Sequence, residues 1–142
     1  MRRALLLLLR FGVGAILIVA GALKLRDPGA FATEIANYQL LPMLAPYLAA
    51  ALPAAEVLVG AVLLVAPARW RRPAALAAAA LFGMFLLAVG AAYARGINIE
   101  CGCFGTGGGP ITALTVVRNL GLIAAAASLV RWQLNGDTRA TG

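Results

Sequence analysis

The sequence has no histidine, only two cysteines, and five acidic residues against twelve basic ones in 142 positions. Each shortage removes a class of function. Without histidine the chain lacks the usual general base, the commonest zinc ligand and the usual axial haem ligand, so most hydrolase and metalloenzyme chemistries have no residues to run on. Charge of either sign is scarce as well: 12% of the residues are charged, 63% are hydrophobic, and the mean hydropathy is +0.92. Water-soluble domains carry about 25% charged and roughly 45 to 50% apolar residues, which excludes a soluble factor, a cytosolic enzyme and a disordered tail. The composition is that of an integral membrane protein.

A helix needs ~20 residues to cross a ~30 Å hydrocarbon core, so this length supplies four spans and short connections in one domain, residues 1–142. The spans read as about 4–23, 44–66, 74–93 and 111–130. The predicted fold class is all-α: a polytopic membrane protein, a four-transmembrane-helix bundle with a short interfacial amphipathic helix between spans 1 and 2. That helix belongs to the segment Lys24 to Pro42, where Phe31, Ile35, Tyr38 and Leu41 recur at helical spacing and Asp27-Pro28 marks a start. In the third span, the run Ala77 to Ala80 with Gly83 and Gly90 has the small side chains that let membrane helices pack backbone to backbone.

The formal charge of +7 and pI near 10.8 set topology and favour anionic lipid without calling for nucleic acid. Seven basic residues (Arg2, Arg3, Arg69, Arg71, Arg72, Arg131, Arg139) fall on the side of the termini and the second loop, three (Lys24, Arg26, Arg95) on the other, and Arg10 and Arg118 lie inside spans. The positive-inside rule then places both termini in the cytoplasm of a bacterial inner membrane and the 94–110 loop outside it. Trp70 and Trp132 fall at the cytoplasmic edge, as interfacial anchors do. A signal peptide competes for the first span, since Arg2-Arg3 precede an apolar run and Ala20-Gly21-Ala22 resembles a cleavage site. The run is longer than a ~7 to 15-residue signal core, and its removal would reverse the polar loops against the charge count.

Both cysteines lie in Glu100-Cys101-Gly102-Cys103-Phe104-Gly105, on the oxidising side, where a thiol pair persists as a disulfide unless something reduces it. A bridge across one residue is tight, and strain moves a disulfide into the labile range, so the pair suits dithiol/disulfide exchange. A structural staple is weak on magnitude, because closing so short a loop removes little unfolded-state entropy. Two thiolates also suit Cu(I), with Met43 as a soft third ligand. Arg95, Lys24 and the start of the fourth helix would favour a thiolate, and Glu100 opposes it. Gly105 to Pro110 lacks the Lys-Ser/Thr of a phosphate loop and reads as a flexible lead into a helix with Pro110 in its first turn.

Charged residues inside spans are functional candidates. Arg118 lies ~10 Å and Glu56 ~18 Å below the outer boundary at 1.5 Å per residue, and both side chains lean back toward the cysteine loop. They are expected to face each other, either as an ion pair that fixes helix register or as a polar pocket for a quinone headgroup or a transferred proton. Pro53, one turn before Glu56, leaves a backbone carbonyl without a donor. Arg10 is expected to snorkel to the cytoplasmic boundary.

Taken in order, Lys24-Leu25-Arg26-Asp27-Pro28, Tyr38 with Leu40-Leu41-Pro42, Pro53 with Glu56 and Gly60, Cys101-Gly102-Cys103-Phe104-Gly105 and Arg118-Asn119 resemble the MauE family of the DoxX-like membrane superfamily, over about residues 4–132. The resemblance implies a four-helix membrane protein of thiol-disulfide handling, serving maturation of the disulfide-rich small subunit of methylamine dehydrogenase alongside a thioredoxin-like partner. The resulting expectation is a thiol-disulfide oxidoreductase in which Cys101 and Cys103 exchange electrons with an extracytoplasmic thioredoxin-like protein. Glu56, Arg118, Arg95 and Lys24 would support the pair, with membrane quinone as a possible acceptor and no resident metal. The alternative is a non-enzymatic Cu(I)-binding or partner-scaffolding membrane subunit.

Overall fold

Leu- and Ala-rich segments without an interrupting charge pair favour long helices, and lipid enforces them by leaving no water to satisfy an open backbone. In the computed structural model residues 1–96 and 112–140 are described, side chains as far as Trp132. The helices are α1 (Arg2–Arg26), α2 (Pro28–Asn37), α3 (Ala45–Val65), α4 (Ala68–Ala94) and α5 (Ala113–Ala140), with a 3-10 turn at Pro42–Leu44 before α3. Four stretches are long and apolar enough to cross a membrane: Arg2–Arg26, Pro42–Val65, Ala68–Ala94 and Ala113–Trp132. The all-α, four-span architecture is thus the one expected from composition.

The first boundary needs correction. α1 does not stop at Leu23 but runs on to Arg26, with Lys24 and Arg26 in its last turn, where cations oppose the negative end of the helix dipole. Asp27 breaks the helix at φ −142° and caps the next one, its carboxylate accepting from the Ala30 amide at 2.9 Å, with Pro28 in the first turn of α2. α2 packs on α3 and buries Phe31 and Glu34. Beyond it the chain reverses through Gln39 at φ +54°, a left-handed backbone rare outside glycine.

Helix pairing also departs from expectation. The tightest seam joins α1 to α3, not the glycines of α4 to a neighbour. A Cβ on Gly14 would come within 3.1 Å of the Gly60 carbonyl oxygen, one on Gly60 within 2.7 Å of the Gly14 carbonyl oxygen, and one on Gly21 within 2.7 Å of the Pro53 carbonyl oxygen. Gly83 and Gly90 would meet nothing within 4 Å, whereas Ala78, from the expected run Ala77 to Ala80, is buried, and α4 packs through it together with Ala74, Ala75 and Phe82. These join Val13, Leu17, Leu63, Ala126 and Leu129 in one core. Large apolar side chains stand outside it, Leu8 at 71%, Leu87 at 76% and Leu114 at 76% exposure, as a lipid-facing surface requires.

Candidate functional site

The buried face of α1 carries Val13, Gly14, Leu17, Ala20 and Gly21, a stripe at steps of three and four, and Lys24 continues it by one more turn. That places a lysine where the seam expects an apolar or small residue. α3 answers with Glu56 on its own buried face. The Lys24 Nζ lies 2.6 Å from Glu56 Oε1, and both residues are 1% exposed. Among the described residues this is the only salt bridge. Glu56 Oε2 is buried without a hydrogen-bond donor. The ammonium also lies 4.3 Å from the Phe85 ring centroid and 5.3 Å from that of Phe31, so two aromatic faces complete its shell.

This corrects the expected partnership of Glu56. The carboxylate pairs with Lys24 and not with Arg118, because the α1 helix runs past the apolar stretch that marked its predicted end and delivers Lys24 to the seam. Arg118 is half-buried on α5 beside Asn119, whose side-chain amide donates to the Thr115 carbonyl at 2.9 Å. Its positive charge acts on Tyr38. Burial and the neighbouring Glu34 carboxylate push the Tyr38 phenol up to about 12, against a smaller opposing effect of Arg118. Arg95, at the end of α4, is exposed and donates to the Tyr38 carbonyl at 3.1 Å and to Gln39 Oε1 at 3.4 Å, holding the left-handed reversal after α2. Lys24, Glu34, Tyr38, Glu56, Arg95 and Arg118 therefore gather at one end of the bundle. Glu34 and Tyr38 were not singled out as polar site residues by sequence; the signal was a carboxylate at the position of α2 one turn after Phe31, on the same face.

Outside this cluster, between α2, α3 and α4, runs an apolar groove of about 750 Å³ walled by Phe31, Ile35, Tyr38, Leu52, Met84 and Phe85. Phe31 and Phe85 belong to both features, so two rings stand between the groove and the buried ammonium. Cys101 and Cys103, with Glu100 and the glycine run, lie outside the described residues, in the stretch that joins α4 to α5. Met43, the expected soft ligand, sits in the 3-10 turn at 89% exposure.

At the other end, Arg10 does not snorkel outward. Its guanidinium donates to the Leu63 and Leu64 carbonyls, the latter at 2.6 Å, and so satisfies backbone acceptors left open where α3 ends.

Helices, seam and buried ion pair define a polytopic α-helical membrane protein with a charged site held inside the bundle. The chain belongs to the MauE family: the profile of "Methylamine utilisation protein MauE" matches residues 2–132. A relative from Paracoccus denitrificans, "Methylamine utilization protein MauE", is 42% identical over 119 residues, which cover 81% of this chain and 63% of the relative. The chain thus spans less than two thirds of the length of that curated relative. No solved structure matches it.

Proposed function

We propose that this chain is a thiol-disulfide exchange protein of methylamine utilisation, lying in a bacterial inner membrane with its termini in the cytoplasm. In this reading Cys101 and Cys103 face an extracytoplasmic thioredoxin-like partner. The observation that carries it is the Cys-Gly-Cys pair, the only two cysteines of the sequence, between two spans of a MauE-family chain. Exchange moves two electrons: a thiolate of the partner attacks the Cys101–Cys103 disulfide, a mixed disulfide forms and one thiol leaves. The partner's second thiol then resolves it, so the partner is oxidised and the pair is reduced to a dithiol.

The dithiol must be reoxidised, and the groove and ion pair of the described bundle suit a quinone. The groove offers apolar walls to a ring and tail, Tyr38 borders it, and the Lys24–Glu56 pair behind Phe31 and Phe85 holds a carboxylate oxygen with no donor. When bound, a quinone would accept the two electrons and two protons that the dithiol gives up. The work of the chain is to exclude water, keep the ion pair neutral overall, and offer Glu56 Oε2 as a proton acceptor beneath the aromatic partition.

Trapping tests the exchange. Cys101 follows Glu100, whose charge disfavours a thiolate there, so Cys103 is the attacking residue in the reverse direction and Cys101 resolves. Cys101→Ser should accumulate a DTT-sensitive adduct with a thioredoxin-like protein, and Cys103→Ser should accumulate less. In intact cells the reduced wild type should react with an impermeant maleimide. Absence of an adduct from both variants, with loss of thermal stability alone, would make the pair a staple; loss of bound copper instead would make it a metal site.

A further inference from the structure

The end of the bundle opposite the ion pair holds a second groove, of about 1070 Å³, between the start of α1, the α3–α4 turn and α5. Its size lies just above the ~300 to 1,000 Å³ typical of small-molecule sites. Five arginines line it: Arg3, Arg10, Arg69, Arg71 and Arg72. They divide into two sets. Arg10 is committed to the carbonyls that end α3, and Arg71 donates from Nε to the Ala66 carbonyl at 3.3 Å. Among the described residues, Arg3, Arg69 and Arg72 have no carboxylate within salt-bridge distance and no acid lines the groove. Like charges gathered this way repel one another unless an anion sits among them.

The remaining walls say what kind of anion. Leu6, Leu7, Leu76 and Leu129 continue the groove along the spans, and Trp132 stands at its rim. The chain turns into α4 here with an open helix start: Pro67 is its N-cap, no side chain caps it, and its first turn has no acid. Charge at the mouth, leucines behind and a tryptophan at the edge match an amphiphile whose head is anionic and whose tail is hydrocarbon.

We propose that this groove binds one anionic phospholipid, its phosphate held by Arg3, Arg69 and Arg72 and its acyl chains laid along Leu6, Leu7 and Leu76. The lipid supplies the negative charge that the described lining residues lack. Arg10 and Arg71, tied to the end of α3, fix the back wall against which the headgroup rests. The site is independent of the thiol pair and of any quinone.

Native mass spectrometry and melting of the full chain, reconstituted in phosphatidylcholine nanodiscs with and without phosphatidylglycerol, test the proposal. One phosphatidylglycerol per chain should be retained, and it should raise the melting temperature. Arg3→Gln, Arg69→Gln and Arg72→Gln should each weaken retention roughly fivefold, at about 1 kcal/mol for a basic residue near the membrane surface. The pair Arg2→Gln with Arg131→Gln removes twice the charge of any one of these variants from the same end, outside this groove, and should leave retention unchanged. Equal loss from that control pair would reduce the effect to bulk surface charge and overturn the site. An equal rise in melting temperature with inorganic phosphate would make the ligand a soluble phosphate and overturn the lipid. Circular dichroism of each variant separates lost binding from lost fold: a variant that keeps its helicity and still retains lipid refutes the role of that arginine.

Discussion

Neutralising one member of the Lys24–Glu56 pair is the sharpest perturbation the bundle allows, because both groups are sealed from solvent. At an effective dielectric of ~20, unit charges 2.6 Å apart attract by about 6 kcal/mol, and desolvation of both groups consumes much of it. Removing one partner strands the other, at ~3 to 5 kcal/mol. Lys24→Met and Glu56→Met should therefore each lower the melting temperature in mild detergent, by about 10 °C at ~2 to 4 °C per kcal/mol for a chain near this size. The double variant Lys24→Met with Glu56→Met leaves no stranded charge and should melt within a few degrees of the wild type. Circular dichroism at a helix band gives the four corners of the cycle. A coupling above ~2 kcal/mol would exceed what interhelical hydrogen bonds in membranes supply, ~0.6 kcal/mol on average and ~1.7 at most. Additive losses would refute the pairing. The parallel cycle of Glu56→Met with Arg118→Met should be additive, since Arg118 does not share the carboxylate.

Two further outcomes follow from the packing and from the phenol. Gly60→Ala should destabilise by ~1 to 3 kcal/mol, because the new methyl meets the Gly14 carbonyl and the Ile18 backbone at 2.7 and 3.2 Å, whereas Gly83→Ala, with nothing within 4 Å, should be neutral or slightly stabilising in the same melt. Tyr38, raised to about 12 in the fold from its ordinary 10, holds its proton longer folded than unfolded, so its contribution to stability is full below pH 10 and is lost as pH climbs toward 12. Melting at stepped pH should show that loss in the wild type, and Tyr38→Phe should remove it.

Spans and membrane class were legible because hydropathy integrates over some twenty residues, and lipid leaves no competing solution to a helix. The cap at Asp27-Pro28 was legible because it is local chemistry. What failed was pairing. Depth and side-chain lean point Glu56 toward Arg118, and Lys24 reads as a loop charge because hydropathy falls at that residue. Hydropathy marks where apolar surface ends, and a helix can continue beyond it when its next buried position finds an opposite charge. The glycine reading failed for a related reason: small residues permit close approach but do not require it, and the partner surface decides. Gly60 faces Gly14, whereas Gly83 and Gly90 face open space.

A single antiparallel register explains the charges of α1 together. Arg10 reaches the Leu64 carbonyl, Gly14 lies against Gly60, and Gly21 lies against Pro53, so each step up α1 is matched by an equal step down α3. On that register Lys24 stands opposite Ala50, six residues and ~9 Å along the axis from Glu56. The gap closes because helical side chains lean toward their own N-terminus, and in an antiparallel pair the two lean toward each other. Lys24 bends back down α1, Glu56 bends back along α3, and they meet beside Gly21, where the missing Cβ leaves the space. Arg10 works from the other end by the opposite device, supplying donors to carbonyls that have no further turn to accept from. The α1–α3 seam is thus held by polar groups at both ends and by glycine between them. A one-residue slip would separate the ion pair, part Arg10 from its carbonyls and drive a side chain into the glycine contacts at once, which is why charges that lipid penalises are kept in these helices.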